Sequence, residues 1–444
     1  MTACLVTVCA CTAGPAARPA MPDPSTPATG RSSDGRGPTD PAGPACTEPL
    51  VVVHHHARRP LRLSERAARA LAESGRTVGS VRAVVRDRTA LGVLPAHRVD
   101  PRVRAATVAG VHPLRRPAAY PLRVAAASCP PRPTTLTVVG DVMLGRGVAA
   151  AAAGDHGRQL RRTAPRLRSA DLTVGNLEST LSRAGAPTQG GDSFAADPAV
   201  ATALVDAGFD VLSLANNHAG DFGPLALRRT VDRLGDAGLA TFGAGRDLAS
   251  ARRPAVVDVR GTRYGFVGFN AIGETPEAGP GRTGAMSVSM PPRTGPLDRR
   301  ELDRFLRDVR RLDRRVDVVV ALPHWGTQYT NRPEPVQRRV ARAVVAAGAD
   351  LVVGGHPHWV QGASSVADAL VVQSLGNFVF DMDFMDETMA GVVLETTWWG
   401  DRLVAAELVP YRMDASFTPR FVRWREGLPT LRLIGETSGP AYRF

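Results

Sequence analysis

From Leu136 to Tyr411, short apolar runs alternate with amphipathic stretches, and this alternation constrains the fold more than any other feature of the chain. Short continuous apolar runs bounded by turn residues read as buried strands, and stretches with helical spacing read as helices packed on them. The pattern predicts strands at Leu136–Val139, Leu172–Val174, Val211–Leu214, Val256–Val259, Tyr264–Phe269, Val316–Ala321, Leu351–Val353 and Leu370–Gln373. Helices are expected at Arg158–Arg168, Ala199–Ala207, Pro224–Ala237, Arg300–Leu312 and Pro335–Ala347. Such alternation makes an α/β fold. The late runs Gly391–Thr397 and Leu403–Leu408 have no helix between them and predict antiparallel additions.

Five of the strands end in polar residues. Asp141 follows the first, Asn176 and Glu178 the second, and Asn216, Asn217, His218 and Asp221 the third. His324 follows a fourth, and Gly354-Gly-His-Pro-His358 a fifth. In α/β sheets ligands sit outside the carboxyl ends of the strands. Carboxylate, amide and imidazole groups are thus expected around one cavity, a donor mix that suits Mn, Fe or Zn better than Ca or Mg. Pro357 fixes its own φ and disfavours helix before it. The expectation is an extended His356, with the His356 and His358 rings on one side of the chain.

These motifs resemble a known family. Gly140–Arg146 (GDVMLGR), Asn176-Leu-Glu178, Asn216-Asn-His218 with Asp221 and Gly223, His324-Trp-Gly326 with Tyr329, Gly355-His-Pro-His358 and Ser374–Phe380 look like those of the CapA family. Its members are capsule and poly-γ-glutamate synthesis proteins that resemble calcineurin-like metallophosphoesterases. The resemblance runs from Thr134 to Tyr411 and implies a four-layer α/β/β/α sandwich. It implies Asp141, Glu178, Asn217, His324, His356 and His358 as ligands of one or two divalent ions. It further implies His218 as the catalytic histidine; Asp221 is a candidate to orient it, and Arg146, whose guanidinium pairs bidentately with carboxylate or phosphate, is with Asn377 a candidate substrate-binding residue. Two positions depart from the pattern. Met143 stands where metallophosphoesterases carry a histidine, and Gln328 where the CapA pattern carries a glutamate. The expected activity is metal-dependent hydrolysis of an anionic polymer or phosphoester; the alternative is a non-catalytic assembly or export factor working with membrane-bound polymer synthases.

The 55 basic residues are all arginine and give a net charge of +13. They scatter through predicted helices, as at Arg307, Arg310 and Arg311, with no basic patch interleaved by aromatics, so nucleic-acid binding is not expected. Four parts are expected: 1–45, a clipped export signal and Pro-rich linker; 46–130, a small α/β region with a weak likeness to solute-binding proteins; 134–412, the metallophosphoesterase-like domain; and 413–444, a C-terminal extension. Val8-Cys-Ala-Cys11 is close to a lipoprotein cleavage box, which places the protein at the cell envelope outside the cytoplasm, anchored through a lipid on Cys11. Cys46 and Cys129 bracket the small region and are candidates for pairing in an exported chain. His54-His-His56 is a weak metal candidate, because consecutive strand residues face opposite ways.

Overall fold

The computed structural model describes residues 46–444. Two sheets lie face to face. The first runs, edge to edge, through Ala240–Phe242, Val211–Ser213, Leu172–Leu177, Pro133–Val142, Ala390–Trp399, Arg402–Met413 and Pro419–Phe421. Its first four strands are parallel, and the late hairpin adds to them antiparallel, as the missing helix predicts. The second sheet runs through Ala255–Val259, Thr262–Asn270, Val318–His324, Leu351–Val353, Ala369–Leu375 and Val360–Val366.

Three apolar layers hold the stack together. Leu136, Val138, Val174 and Val211 of the first sheet meet Phe266, Val320, Leu351 and Val372 of the second. On the outer face of the first sheet, Val139, Leu177 and Leu212 pack with Leu204, Leu227 and Leu234 from helices Val200–Ala207 and Gly223–Asp236. On the outer face of the second, Val319 and Val352 pack with Phe305, Val309, Val340 and Val344 from helices Arg299–Asp313 and Pro335–Ala346. The order helix, sheet, sheet, helix is the expected four-layer sandwich. Strands buried on both faces need continuous apolar runs, which is why they stand out in the sequence.

The helix expected at Arg158–Arg168 shrinks to Ala164–Leu167. Pro165 is tolerated only in the first turn of a helix, so the residues before it form turns.

Residues 47–125 build a small sheet around Thr47–His54, paired with Leu91–Pro95, Arg104–Ala105 and Arg123–Ala125. Ser64 caps the Glu65–Glu73 helix through a hydrogen bond from Ala67 N. One face of this sheet shares a core with Trp399, Val404 and Ala405 of the late hairpin. Polar contacts follow: Trp399 Nε1 donates to Leu114 O at 2.9 Å, and Arg115 pairs with Glu395 at 2.9 Å. Cys46 and Cys129 are joined by a disulfide. The helix Trp424–Glu436 lies along the Val360–Val366 edge, and Tyr442 Oη reaches Pro101 O at 2.8 Å. The three histidines 54–56 are buried, and each ring bonds to the main chain, at His55 O, Pro440 O and Pro101 O. Burial pushes His54 down to about 4 and His56 to about 3, so they are neutral packing groups.

Candidate metal centre

Strand register brings the site together. Asp141 is opposite Asn176 on one side and Asn377 on the other. His324 is opposite Asn270, and it bridges to Gly355. These pairings put the ends of the central strands of both sheets around one buried cluster.

Asp141, Glu178 and His358 each place a ligating atom within 4.8 Å of the others, and all three are buried. Asn176 Nδ2 lies 2.9 Å from Asp141 Oδ1, 3.0 Å from Glu178 Oε1 and 3.3 Å from His324 Nδ1. An amide carries two hydrogens, so it satisfies two of these three acceptors at once. Asn176 is itself held by Asn216, whose Nδ2 donates to Asn176 Oδ1 at 2.9 Å. His324 Nε2 lies 2.9 Å from Asn217 Oδ1 and 3.0 Å from Glu178 Oε1. His358 Nδ1 is 2.7 Å from Asn377 Oδ1, which leaves Nε2 with the lone pair.

His356 is not extended. Its φ is +93° and that of His358 is +58°, both in the left-handed region. Tertiary bonds override the local preference: His356 N donates to Asp141 Oδ2 at 3.1 Å, and Tyr329 N to Pro357 O at 2.9 Å. Such backbone costs about 1–3 kcal/mol per residue and collects at functional sites. The two rings still converge, with centroids 5.8 Å apart, but through a tight loop rather than a pleat.

The donor set fits a divalent cation. Glu178 Oε2 and His356 Nε2 are buried with no hydrogen-bond partner among the described residues. Burial lowers His324 and His358 to about 4 and holds His356 well below its ordinary value, so all three imidazoles are neutral and offer lone pairs. Burial, then the charge of Glu178, raises the Asp141 carboxyl, and burial raises that of Glu178. Two buried carboxylates facing each other without compensation are costly, and a cation between them removes the cost. Met143 contributes no donor here: it is buried in the helix-side core, and its sulfur accepts from Gly145 N at 3.1 Å.

Beside the cluster stands a histidine–aspartate pair. His218 Nδ1 is 2.9 Å from Asp221 Oδ2. Asp221 also accepts from Phe194 N at 2.6 Å and from Gln189 Nε2. Phe194 stacks on the His218 ring with centroids 3.8 Å apart. Burial lowers the His218 pKa, but the Asp221 hydrogen bond and the Glu178 charge outweigh it, and the net direction is upward.

Sequence reasoning placed functional residues at five strand ends and missed an orienting residue that follows a sixth. After Asn270 the loop turns back through Glu274, whose φ is +65°. Glu274 Oε2 accepts from Asn217 Nδ2 at 2.6 Å, which turns Asn217 Oδ1 towards His324. Nothing in Ile272-Gly-Glu-Thr275 signals this; only the position of the loop after a central strand does. Arg146 and Asn377 are placed differently from a free substrate grip. Asn377 is fully buried and spends its amide on His358 and on Thr388 O. Arg146 forks onto Asp381 and lies 4.3 Å over the Phe194 ring. Gln328 Nε2 sits 3.5 Å from His358 Nε2.

The family model "Bacterial capsule synthesis protein PGA_cap" matches residues 135–382, the span that holds every residue of the cluster. The chain belongs to this capsule synthesis family. Among relatives of this PGA_cap chain, the capsule biosynthesis protein CapA of Bacillus anthracis is 33% identical over 263 residues, 56% of this chain and 60% of that one. The PGA biosynthesis protein CapA of Bacillus subtilis (strain 168) is 30% identical over 247 residues, 55% and 62%. A probable polyglutamine synthesis accessory protein of Mycobacterium tuberculosis is 28% identical over 213 residues, 46% and 56%. The chain thus spans about 60% of the length of the first two. Among solved structures, a hypothetical protein of Thermus thermophilus aligns at 17% identity and TM-score 0.40, covering 63% of this chain and 99% of that one. A phosphatase of Mycoplasma pneumoniae aligns at 12% identity and TM-score 0.39, covering 65% and 96%.

Proposed function

We propose that this PGA_cap chain is a metal-dependent hydrolase of an anionic polymer or phosphoester. The observation that carries the reading is the buried cluster with two orphaned donor atoms, Glu178 Oε2 and His356 Nε2, next to the His218–Asp221 pair. Asp141, Glu178, Asn217, His324, His356 and His358 would hold one or two ions, of Mn, Fe or Zn by the O and N donor mix. A divalent cation there supplies Lewis acidity that polarises an oxygen of the scissile group. The chain's own residues do the rest. Asp221 fixes the His218 ring and favours its charged form, so His218 holds a proton at Nε2 for a leaving oxygen. Asn377 and Glu274 orient His358 and Asn217.

The same reading sets the protein outside the cytoplasm. The Cys46–Cys129 bridge supports this, since disulfides persist in oxidising compartments. Val8–Cys11, the proposed lipid-anchor box, lies outside the described residues. Membrane-bound polymer synthases are the partners such an anchor would bring near.

A second reading, a binding or assembly factor without turnover, is favoured by Met143, whose sulfur faces Gly145 N and not the cluster. One assay separates the two. The purified chain, loaded with Mn or Zn and then chelated, is offered bis-p-nitrophenyl phosphate, p-nitrophenyl phosphate and poly-γ-glutamate. Metal-dependent turnover of at least one is expected. A fully loaded protein that turns over none, with capsule formation in cells supported by His218→Ala, selects the assembly reading.

A further inference from the structure

Two arginines stand near the cluster, and their donors are used very differently. Arg146 is spent. Its Nε bonds Asp381 Oδ2 at 3.1 Å, its Nη2 bonds Asp381 Oδ1, and its Nη1 lies 3.4 Å from Gly191 O. One flat face is covered by Phe194. Arg293 makes a single side-chain hydrogen bond among the described residues, Nη2 to Glu274 Oε1 at 2.6 Å, and its side chain is 43% exposed. A guanidinium has five N–H donors in a fixed fork, so most of Arg293's remain for an incoming oxyanion.

Glu274 places that fork. One carboxylate oxygen takes Arg293 and the other takes Asn217 Nδ2 at 2.6 Å, and Asn217 Oδ1 meets His324 Nε2 at 2.9 Å. The chain from Arg293 to the donor cluster is therefore one carboxylate and one amide long. The loop that carries Glu274 is braced. Asn270 Nδ2 donates to Gly273 O at 2.8 Å, Gly220 N to Thr275 Oγ1 at 2.9 Å, and Thr294 Oγ1 to Ala271 O at 3.1 Å.

We infer that Arg293, and not Arg146, recognises the anionic group of the substrate, with Glu274 as the positioning residue that couples this recognition to Asn217. The ligand chemistry is an oxyanion fork, a phosphate or a carboxylate, and the inference rests on the reading of the cluster as a metal-loaded substrate site.

The test uses the full chain loaded with Mn, with metal content measured for every variant. Calorimetric titration with inorganic phosphate and, separately, with a γ-linked glutamate oligomer distinguishes the two sources. Arg293→Ala is expected to keep its metal and its unfolding transition and to lose roughly tenfold to a hundredfold in affinity for at least one probe. Arg293→Lys, which keeps the charge without the fork, should recover only part of it. Wild-type affinity in Arg293→Ala overturns the inference, and so does a wild-type protein that binds neither probe. Loss of metal along with probe binding in Arg293→Ala also overturns it, because Arg293 would then act only through Glu274 and Asn217. Wild-type binding without turnover would count against hydrolysis and leave the role of Arg293 standing.

Discussion

A Cβ on Gly355 would stand 2.7 Å from Asp141 Oδ1 and 3.1 Å from His324 Nδ1. The bare backbone at Gly355 is what lets the second sheet's histidine loop close onto the first sheet's carboxylate. Its φ is not in the left-handed region, so the demand is for space alone. Gly355→Ala should fold, at a cost of about 1–3 kcal/mol for the overpacked contact, and lose at least tenfold in metal affinity as Asp141 is pushed aside. Metal titration beside a urea unfolding curve checks both; unchanged metal affinity would show that Asp141 does not face the ion.

The His218–Asp221 pair has a defined pH signature. The folded pKa of His218 is raised, so its contribution to stability is fully present below its ordinary value of about 6.5 and is lost as pH rises through the raised one. Asp221→Asn removes the charge that favours imidazolium. In the metal-free protein His218 should then titrate at lower pH, and unfolding free energy should lose its slope in that window. The variant should cost about 1–3 kcal/mol, since Gln189 and Phe194 N lose a charged acceptor. Histidine titration by NMR decides; an unmoved His218 resonance would mean that Asp221 does not tune it.

A second pH effect belongs to the join between the small sheet and the sandwich. Glu407 lies 3.7 Å from His112 Nε2 and 4.0 Å from the buried Arg104 Nε. Burial opposes its ionisation, but His112, Arg104 and Arg115 outweigh it and hold the carboxyl well below the usual range. A depressed carboxylate contributes stability above its unfolded pKa, near about 4.3, and loses it as pH falls from there. Glu407→Gln should destabilise by about 3 kcal/mol at neutral pH, because Arg104 is left buried without its partner. It should also flatten the acid limb below about pH 4.3, which urea curves at pH 7 and at about pH 2 measure; equal destabilisation at both would assign the loss to packing.

The fold is legible in the sequence where the physics is local. Strands buried on both faces must be apolar throughout, and the polar residues that end them, Asp141, Glu178, His324 and His356, sit at the positions the alternation implies. What stays hidden depends on partners far away in the chain. The backbone of His356 is set by Asp141, across a separation of 215 residues, and so overrides the influence of Pro357. Arg146 reads as a grip for an anionic substrate because Asp381, which takes its fork, is 235 residues away. Glu274 carries no motif and matters only because its loop ends next to Asn217. The late hairpin reads as an addition to the sheet, but nothing in Trp399, Val404 or Ala405 says that their outer face meets the small N-terminal sheet.

A metal centre with a separate acid beside it should respond in opposite ways to two substitutions measured side by side. His356→Ala removes a buried imidazole whose Nε2 has no hydrogen-bond partner among the described residues, so it should lose metal and activity together. His218→Ala should keep wild-type metal content and lose rate by roughly 10²–10⁴-fold, the size of an acid contribution. Metal content and turnover, determined on the same preparations of wild type and both variants, give that split if the account holds. Full metal content in His356→Ala, or equal loss of metal in both variants, would contradict it.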